Sequence, residues 1–263
     1  MGVFKNKVVW ITGASSGIGL ALVKQLDNEG ARIILSSRSE DKLNKLNSEL
    51  IGQDHLVLPL DLEKSSDFEQ LAAKVYSKYG RIDYLINNGG MSQRSEVHLT
   101  PLEVDRRIME VNYFGHIALT KCVLPFMIRQ KSGHIVAISS IAGKFGFYLR
   151  SAYSAAKHAL HGFYESLMLE QEKNGIKVTI ACPGKINTNI SVNAINGHGE
   201  THGEMDHNQA TGMSAEQCAL ELLLAVQRGK YEVLIGNKEI KAVTLKRFFP
   251  KLFWKVIRRQ SPT

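Results

Sequence analysis

Of the eight tyrosines in the chain, Tyr153 alone is followed four residues later by a lysine, in Tyr153-Ser154-Ala155-Ala156-Lys157. On a helix that spacing sets the phenol and the ammonium on one face. The ammonium favours phenolate, so the pair predicts a tyrosine pKa lowered towards the range of a working acid/base catalyst. Ser140 follows the apolar run Ile135 to Ile138, where a parallel sheet presents ligand-binding groups, and its hydroxyl could hold a substrate carbonyl. Taken singly, the pair could be a surface coincidence and Ser140 a turn residue.

A second constellation lies near the start. Thr12-Gly13-Ala14-Ser15-Ser16-Gly17-Ile18-Gly19 follows the apolar run Lys7 to Ile11 and opens a helical pattern. Gly13 suits a tight turn, Gly17 a close approach of backbone to a pyrophosphate, and Gly19 close packing of helix on sheet, with the anion at the helix N-terminus. A nucleotide-hydrolysing loop is disfavoured, because no Gly-Lys-Ser/Thr follows. The second apolar run ends Leu35-Ser36-Ser37-Arg38, with no acid to accept from a ribose 2′-hydroxyl and with an arginine able to pair with a 2′-phosphate. NADP(H) is therefore expected over NAD(H). A solvated Arg38 is the alternative.

The elements that must position these residues are legible as a pattern. Apolar runs at Lys7 to Ile11, Arg32 to Leu35, His55 to Leu60, Ile82 to Ile86, His134 to Ile138, Lys177 to Ala181 and Glu232 to Ile235 read as seven strands. Helix-length segments separate them at Gly17 to Asn28, Asp41 to Leu50, Ser66 to Tyr79, Leu102 to Ile128, Ala152 to Lys173 and Ala215 to Gln227. This alternation predicts a single-domain α/β fold, a doubly wound, seven-stranded parallel sheet with helices on both faces. Residues 1–236 form the expected dinucleotide-binding domain. Within it, residues 185–212 carry four glycines and no regular apolar period, the mark of a substrate loop or of a disordered insertion.

Composition narrows the class. The chain has 263 residues, 44% hydrophobic and 22% charged, enough for one sizeable core. No apolar run approaches the roughly 20 residues of a membrane span, and a strand-like run at Lys7 leaves no room for a secretory leader. Cys122, Cys182 and Cys218 show neither disulfide nor zinc spacing, so a cytoplasmic protein is expected. Of the net charge of +8, +7 falls in residues 237–263, where eight Lys or Arg face one acid. The body is thus nearly neutral, and no nucleic-acid partner is expected.

Together, Thr12-Gly13-x-x-x-Gly17-x-Gly19, Asp61, Asn87-Asn88-Gly89-Gly90, Asn112, Ser140, Tyr153/Lys157 and Pro183-Gly184-x-x-x-Thr188 resemble the short-chain dehydrogenase/reductase superfamily, in its shorter-chain division, over about residues 5–236. The resemblance implies that Tyr153 exchanges a proton with the substrate oxygen and Ser140 orients that oxygen. It implies that Lys157 holds the nicotinamide ribose and lowers the tyrosine pKa, and that Asn112 anchors a water relay. The cofactor shell so implied is Gly13, Ser15, Ser16, Gly17, Ile18, Gly19, Ser37, Arg38, Asp61, Leu62, Asn88, Gly89, Tyr153, Lys157, Pro183, Gly184 and Thr188, with Asp61 and Asn88 on the adenine side and Thr188 at the nicotinamide amide. Ser140 and Tyr153 would touch the substrate, a small-molecule carbonyl or alcohol, in a homodimer or homotetramer.

Two departures from the family pattern stand out. Gly89 replaces the usual alanine, a lost methyl expected to change backbone freedom more than role. The chain also runs on into a basic end where relatives finish in a glycine-rich turn. The segment Asn88 to Ser95 and this end are similar to the branch called dehydrogenase/reductase member seven and its bacterial relatives, which implies lipophilic substrates such as retinoids, steroids or lipid-derived ketones. Two alternatives stay open: a catalytically idle NADP-binding sensor or scaffold, against which the set Asn112, Ser140, Tyr153 and Lys157 argues, and an epimerase or dehydratase of the longer sister division.

Other features are read more plainly. His198, His202 and His207 match no ligand spacing, and no metal is expected. Arg94 could meet an anionic substrate group, but solvation is the expectation for a loop arginine. In the tail, Leu245, Phe248, Phe249, Leu252, Phe253, Val256 and Ile257 recur at helical spacing among basic residues, with Pro250 as a break. Such a face either packs on its own domain or a partner subunit, or makes peripheral contact with an anionic membrane.

Overall fold

The computed structural model describes residues 2–261; Met1 and the last two residues of the expected tail, 262–263, lie outside the described residues. Apolar runs form β1 (Val8–Thr12), β2 (Arg32–Ser36), β3 (Leu56–Val57), β4 (Tyr84–Asn87), β5 (Gly133–Ile138), β6 (Ile176–Pro183), the short β7 (Ile186–Asn187) and β8 (Met213–Ser214), and β9 (Glu232–Ile235). The helices are α1 (Gly17–Asn28), α2 (Glu40–Glu49), α3 (Phe68–Tyr79), α4 (Leu102–Met109), α5 (Gly115–Gln130), α6 (Ser151–Gln171), α7 (His207–Ala210), α8 (Ala215–Gln227), α9 (Lys241–Phe248) and α10 (Pro250–Ile257). Seven strands form one parallel sheet in the order β3-β2-β1-β4-β5-β6-β9.

Both faces of the sheet are covered, which is why its strands read as continuous apolar runs rather than as alternation. In β1, Val9 and Ile11 pack with α1 and α8 through Leu22 and Cys218, while Val8 and Trp10 pack with α3, α5 and α6 through Phe68, Leu119 and Leu160. The strand order reverses between β1 and β4, and such a switch point leaves a crevice beyond the carboxyl ends of the two strands. That crevice holds the site.

Two segments differ from expectation, and two for which the sequence left alternatives take one definite form. β3 is two residues long, because Pro59 has no N–H for the ladder; Leu58 and Leu60 still donate to Leu35 and Ser37. The helix expected over Leu102 to Ile128 is interrupted by a π turn, Glu110–Phe114. The whole run Leu102–Gln130 is long and apolar enough by length and composition to cross a membrane, whereas here Ile108, Leu119, Val123 and Met127 are buried in the fold. Residues 185–212 pack on the body: β7 pairs with β8, Ile195 bridges Gln93, and Ser191, Ala194 and Asp206 are buried.

At the chain end the packing alternative holds for one side of the segment: α9 and α10 fold back on the domain, and Phe253 and Ile257 join Phe145 in a small core flanked by Phe147 and Leu245. Pro250 opens α10, where its missing N–H costs no helical hydrogen bond.

Candidate active site

The glycine turn is built by close approach. Gly13 and Gly17 have φ of +66° and +54°, left-handed values that favour glycine. A methyl on Gly13 would fall 2.8 Å from Gly89 Cα, and one on Gly19 2.1 Å from Gly13 O. Thr12 Oγ1 accepts from the backbone N–H groups of Asn88 (3.0 Å) and Gly89 (2.9 Å), and Asn88 Nδ2 donates to Thr12 O (3.0 Å). The ends of β1 and β4 are thereby latched at the switch point. Ser16, the residue capping α1, makes no side-chain cap bond, so the first N–H groups of α1 stay available for an anion.

Gly89 has an ordinary φ. A methyl there would meet the far end of the Leu62 side chain at 2.7 Å, which would have to turn, and would sit in ordinary contact with Gly13 N at 3.4 Å. Beneath it the buried His116 shares a hydrogen bond between its Nε2 and Gly89 O. Burial, with Lys157 nearby, pushes the His116 pKa down to about 3, so the ring is neutral. No spacing signal marks it in the sequence.

At the reactive end, α6 carries Tyr153 and Lys157, both buried. Ser140 follows β5; its Oγ donates to Pro183 O (3.3 Å) and accepts from Ala142 N (3.1 Å), and it faces the Tyr153 phenol closely enough to lower the phenol pKa. Lys157 Nζ donates to Ile138 O (2.8 Å) and stands 5.7 Å from the centre of the Tyr153 ring. The π turn carries Asn112, whose Nδ2 donates to Ile108 O (3.0 Å) and Met91 O (2.9 Å) while its Oδ1 accepts from Met91 N (3.2 Å). These bonds pin a single-turn bulge, a feature often found at functional sites. Across Gly90, Asn112 Oδ1 and Lys157 Nζ lie 2.7 and 3.7 Å from where a methyl would sit.

The electrostatics differ from the simple Tyr–Lys expectation. Burial pushes the Tyr153 pKa up, opposed by the Ser140 hydroxyl and then by Arg150 and Arg94. Burial also pushes Lys157 down, to about 7, which weakens it as a cation. The charges that favour phenolate in this structure are therefore the two arginines, one of them Arg150, which stands just before the first turn of α6. Arg94 is itself buried, not solvated as expected: it donates from Nε to both oxygens of Asp206 and from Nη1 to Ser92 Oγ (2.8 Å). Arg150 donates from Nη2 to Asp206 Oδ2 (2.8 Å), and burial, then Arg94, pushes its pKa down to about 10.

One cavity of about 900 Å³ gathers Gly13, Ser16, Gly17, Ile18, Asn88, Gly89, Asn112, Ser140, Tyr153, Lys157, Pro183, Gly184 and Thr188. It does not reach Ser15, Gly19, Ser37, Arg38, Asp61 or Leu62. Gly19 packs behind the turn and Leu62 against Gly89 and Gly115. Asp61 Oδ1 accepts from Glu63 N (3.1 Å) in a local turn. Arg38 is exposed, and Ser37 Oγ is a buried hydroxyl without a hydrogen-bond partner beside it. An unsatisfied hydroxyl at the end of β2, a glycine cradle and an uncapped helix start together fit a dinucleotide.

Sequence reasoning missed Arg150 and Asp206, and it missed the cavity walls Phe145, Phe147, Leu245, Phe249 and Val256. The loop histidines do not assemble. Instead, His161, Cys182 and Glu232 bring ligand-type atoms within 4.8 Å of one another, but Lys144 occupies the cation's place, 3.2 Å from His161 Nδ1 and paired with Glu232.

The model of the short chain dehydrogenase family matches residues 7–198. The chain is 42% identical over 264 residues to dehydrogenase/reductase SDR family member 7B of Mus musculus, covering 98% of this chain and 82% of that protein. It is 40% identical over 262 residues to the SDR family protein 7-like of Drosophila melanogaster, covering 97% and 80%. Among solved structures, a short-chain dehydrogenase from Streptomyces avermitilis matches with a TM-score of 0.81 at 28% identity, over 97% of this chain and 98% of that one. A short-chain dehydrogenase/reductase from Burkholderia phymatum, solved in complex with NAD, matches with a TM-score of 0.84 at 21% identity, over 100% and 98%. Fold and site define a doubly wound α/β oxidoreductase. The chain belongs to the short-chain dehydrogenase/reductase family, and the two relatives just described both carry the member-seven name.

Proposed function

We propose that the chain is an NADP(H)-dependent oxidoreductase that interconverts a carbonyl and a secondary alcohol of a lipophilic substrate, with Tyr153 as general acid/base. The observation that carries this reading is the opening of one cavity onto both the glycine turn and the group Asn112, Ser140, Tyr153 and Lys157. A dinucleotide held by the turn, Thr188 and Lys157, with Ser37 and Arg38 at its 2′-phosphate, supplies the hydride. In reduction Tyr153 gives its phenolic proton to the carbonyl oxygen, and Ser140 donates a hydrogen bond that orients that oxygen. Arg150 and Arg94 favour the phenolate that remains. Ile141, Ala142, Phe145, Phe147 and Leu245 supply an apolar wall that suits a lipophilic substrate and keeps water from the reacting carbon.

The test is a panel of ketones and alcohols of increasing chain length, followed by NADPH absorbance and repeated with NADH. Turnover that rises with apolar length and prefers NADPH supports the reading. NADPH binding without turnover of any carbonyl or alcohol would support the idle-sensor alternative instead.

A further inference from the structure

We propose that the outer face of α9 and α10 is a docking surface for an anionic lipid bilayer, with the mouth of the cavity at the contact. Two sets of apolar side chains point in different directions here. Phe253 and Ile257 are turned inward and anchor the segment on Phe145. Phe248, Phe249, Leu252, Trp254 and Val256 are left 65%, 62%, 49%, 48% and 41% exposed. Leu252 and Val256 stand at i and i+4 on one side of α10, with Phe249 at its entry, so the exposed apolar groups are contiguous along the segment. Large apolar groups concentrated in this way mark an interaction site rather than ordinary surface.

Charge selects the occupant. Lys241, Arg247, Lys251, Lys255, Arg258 and Arg259 are all exposed around these groups. The segment's one acid, Glu239, is turned inward, where its Oε1 accepts from the backbone N–H groups of Lys185 (2.9 Å) and Asn237 (3.1 Å). The outward face is therefore basic and aromatic, with no carboxylate of its own. A second copy of the chain would bring two +7 segments together, which like-charge repulsion opposes. An anionic bilayer offers what the face lacks: negative headgroups for the lysines and arginines, and an interfacial layer in which Phe and Trp side chains are at home.

The placement also connects to the cavity. Leu245, Phe249, Val256 and Ile257 belong both to this segment and to the cavity lining. A bilayer on the face would thus meet an apolar entrance leading towards Tyr153. This last step rests on the proposed function; docking itself does not.

The test uses the full chain with vesicles of phosphatidylcholine alone or mixed with phosphatidylglycerol, at low and high salt. Binding is read by flotation and by tryptophan emission. Trp254 is half exposed and Trp10 fully buried, so a blue shift on binding reports the α10 face. The expected result is a blue shift and flotation with the anionic vesicles only, reversed by salt. The triple variant Lys251→Glu/Lys255→Glu/Arg258→Glu should lower the partition coefficient by about a hundredfold or more. Phe248→Ser/Leu252→Ser should abolish the blue shift while leaving the thermal midpoint and turnover of a water-soluble ketone unchanged. Equal binding to neutral vesicles, or none to either, would overturn the proposal. So would concentration-dependent self-association that Phe248→Ser/Leu252→Ser removes in the absence of vesicle binding. Failure of every ketone to turn over, with vesicle binding intact, would count against the proposed function alone.

Discussion

The carboxylate of Asp206 accepts from Arg94 Nε at 3.2 and 3.0 Å, with both side chains 2% exposed. The pair joins residues 112 positions apart, tying the loop over the cavity to the segment that follows β4. Arg150 shares the same carboxylate, so two guanidiniums face one acid and a surplus positive charge is held beside Tyr153. The loop therefore fixes both the shape and the electrostatics of the substrate end.

Removing the shared carboxylate tests both roles. Asp206→Asn keeps the outline of the side chain but leaves two buried cations uncompensated, and breaking a buried pair in this way costs about 3–5 kcal/mol. Urea unfolding should show that loss. In the folded fraction the added positive charge favours phenolate, so the acid/base pKa of the pH–rate profile should fall, whereas Arg150→Met should raise it. Shifts in the same direction for both variants would show that these charges do not tune the phenol.

Tyr153→Phe removes the hydroxyl and leaves the buried ring in place. Loss of a positioned acid should lower turnover by about 10²- to 10⁴-fold, with NADPH binding retained in a fluorescence titration. Near-normal turnover would assign the proton to another group.

Much of this site is local in sequence, and those parts are legible there. A strand, a glycine turn and a helix are contiguous, so Gly13 to Gly19 carries its own context; Tyr153 and Lys157 share a helix face by spacing alone. Asp206 is different. Nothing around it says that it will meet arginines 112 and 56 positions away, because that contact exists only once residues 185–212 have folded over the cavity. The π turn at Asn112 is hidden because one extra residue per turn hardly disturbs an apolar pattern. That Leu62 and Gly13 are the neighbours of the glycine at position 89 is visible only in the fold. The basic end shows its helical period in sequence, but which side is covered depends on Phe145.

Buried Lys157 should impose a pH dependence on stability. Its folded-state pKa is pushed from 10.5 down to about 7, so between those values the unfolded chain binds the extra proton and stability rises with pH. The clean window is about pH 7 to 8, because the thiols Cys122, Cys182 and Cys218, all pushed up by burial, act in the opposite sense from the unfolded thiol pKa near 9 upward. Across that window Lys157 should contribute a rise of about 1 kcal/mol. Urea midpoints of the cofactor-free protein at pH 7, 7.5 and 8 should show the rise, and Lys157→Met should flatten it. An equal slope in the variant would mean that the lysine is charged throughout.

Cofactor preference is the sharpest test of the β2 end. Ser37 occupies the place where an acid would accept from the ribose hydroxyls, its Oγ is buried without a partner, and Arg38 beside it is exposed and able to turn to a 2′-phosphate. A charge-assisted contact of this kind is worth about 1.5–3 kcal/mol, so Arg38→Leu should cost one to two powers of ten in NADP(H) affinity and leave NAD(H) nearly unchanged. Adding Ser37→Asp should reverse the preference, because the new carboxylate accepts from ribose hydroxyls and repels phosphate. Titrations of wild type, Arg38→Leu and the double variant with both cofactors at one ionic strength decide the matter. A wild type that prefers NAD(H), or a ratio of dissociation constants untouched by Arg38→Leu, would show that the 2′-phosphate is not read at this position.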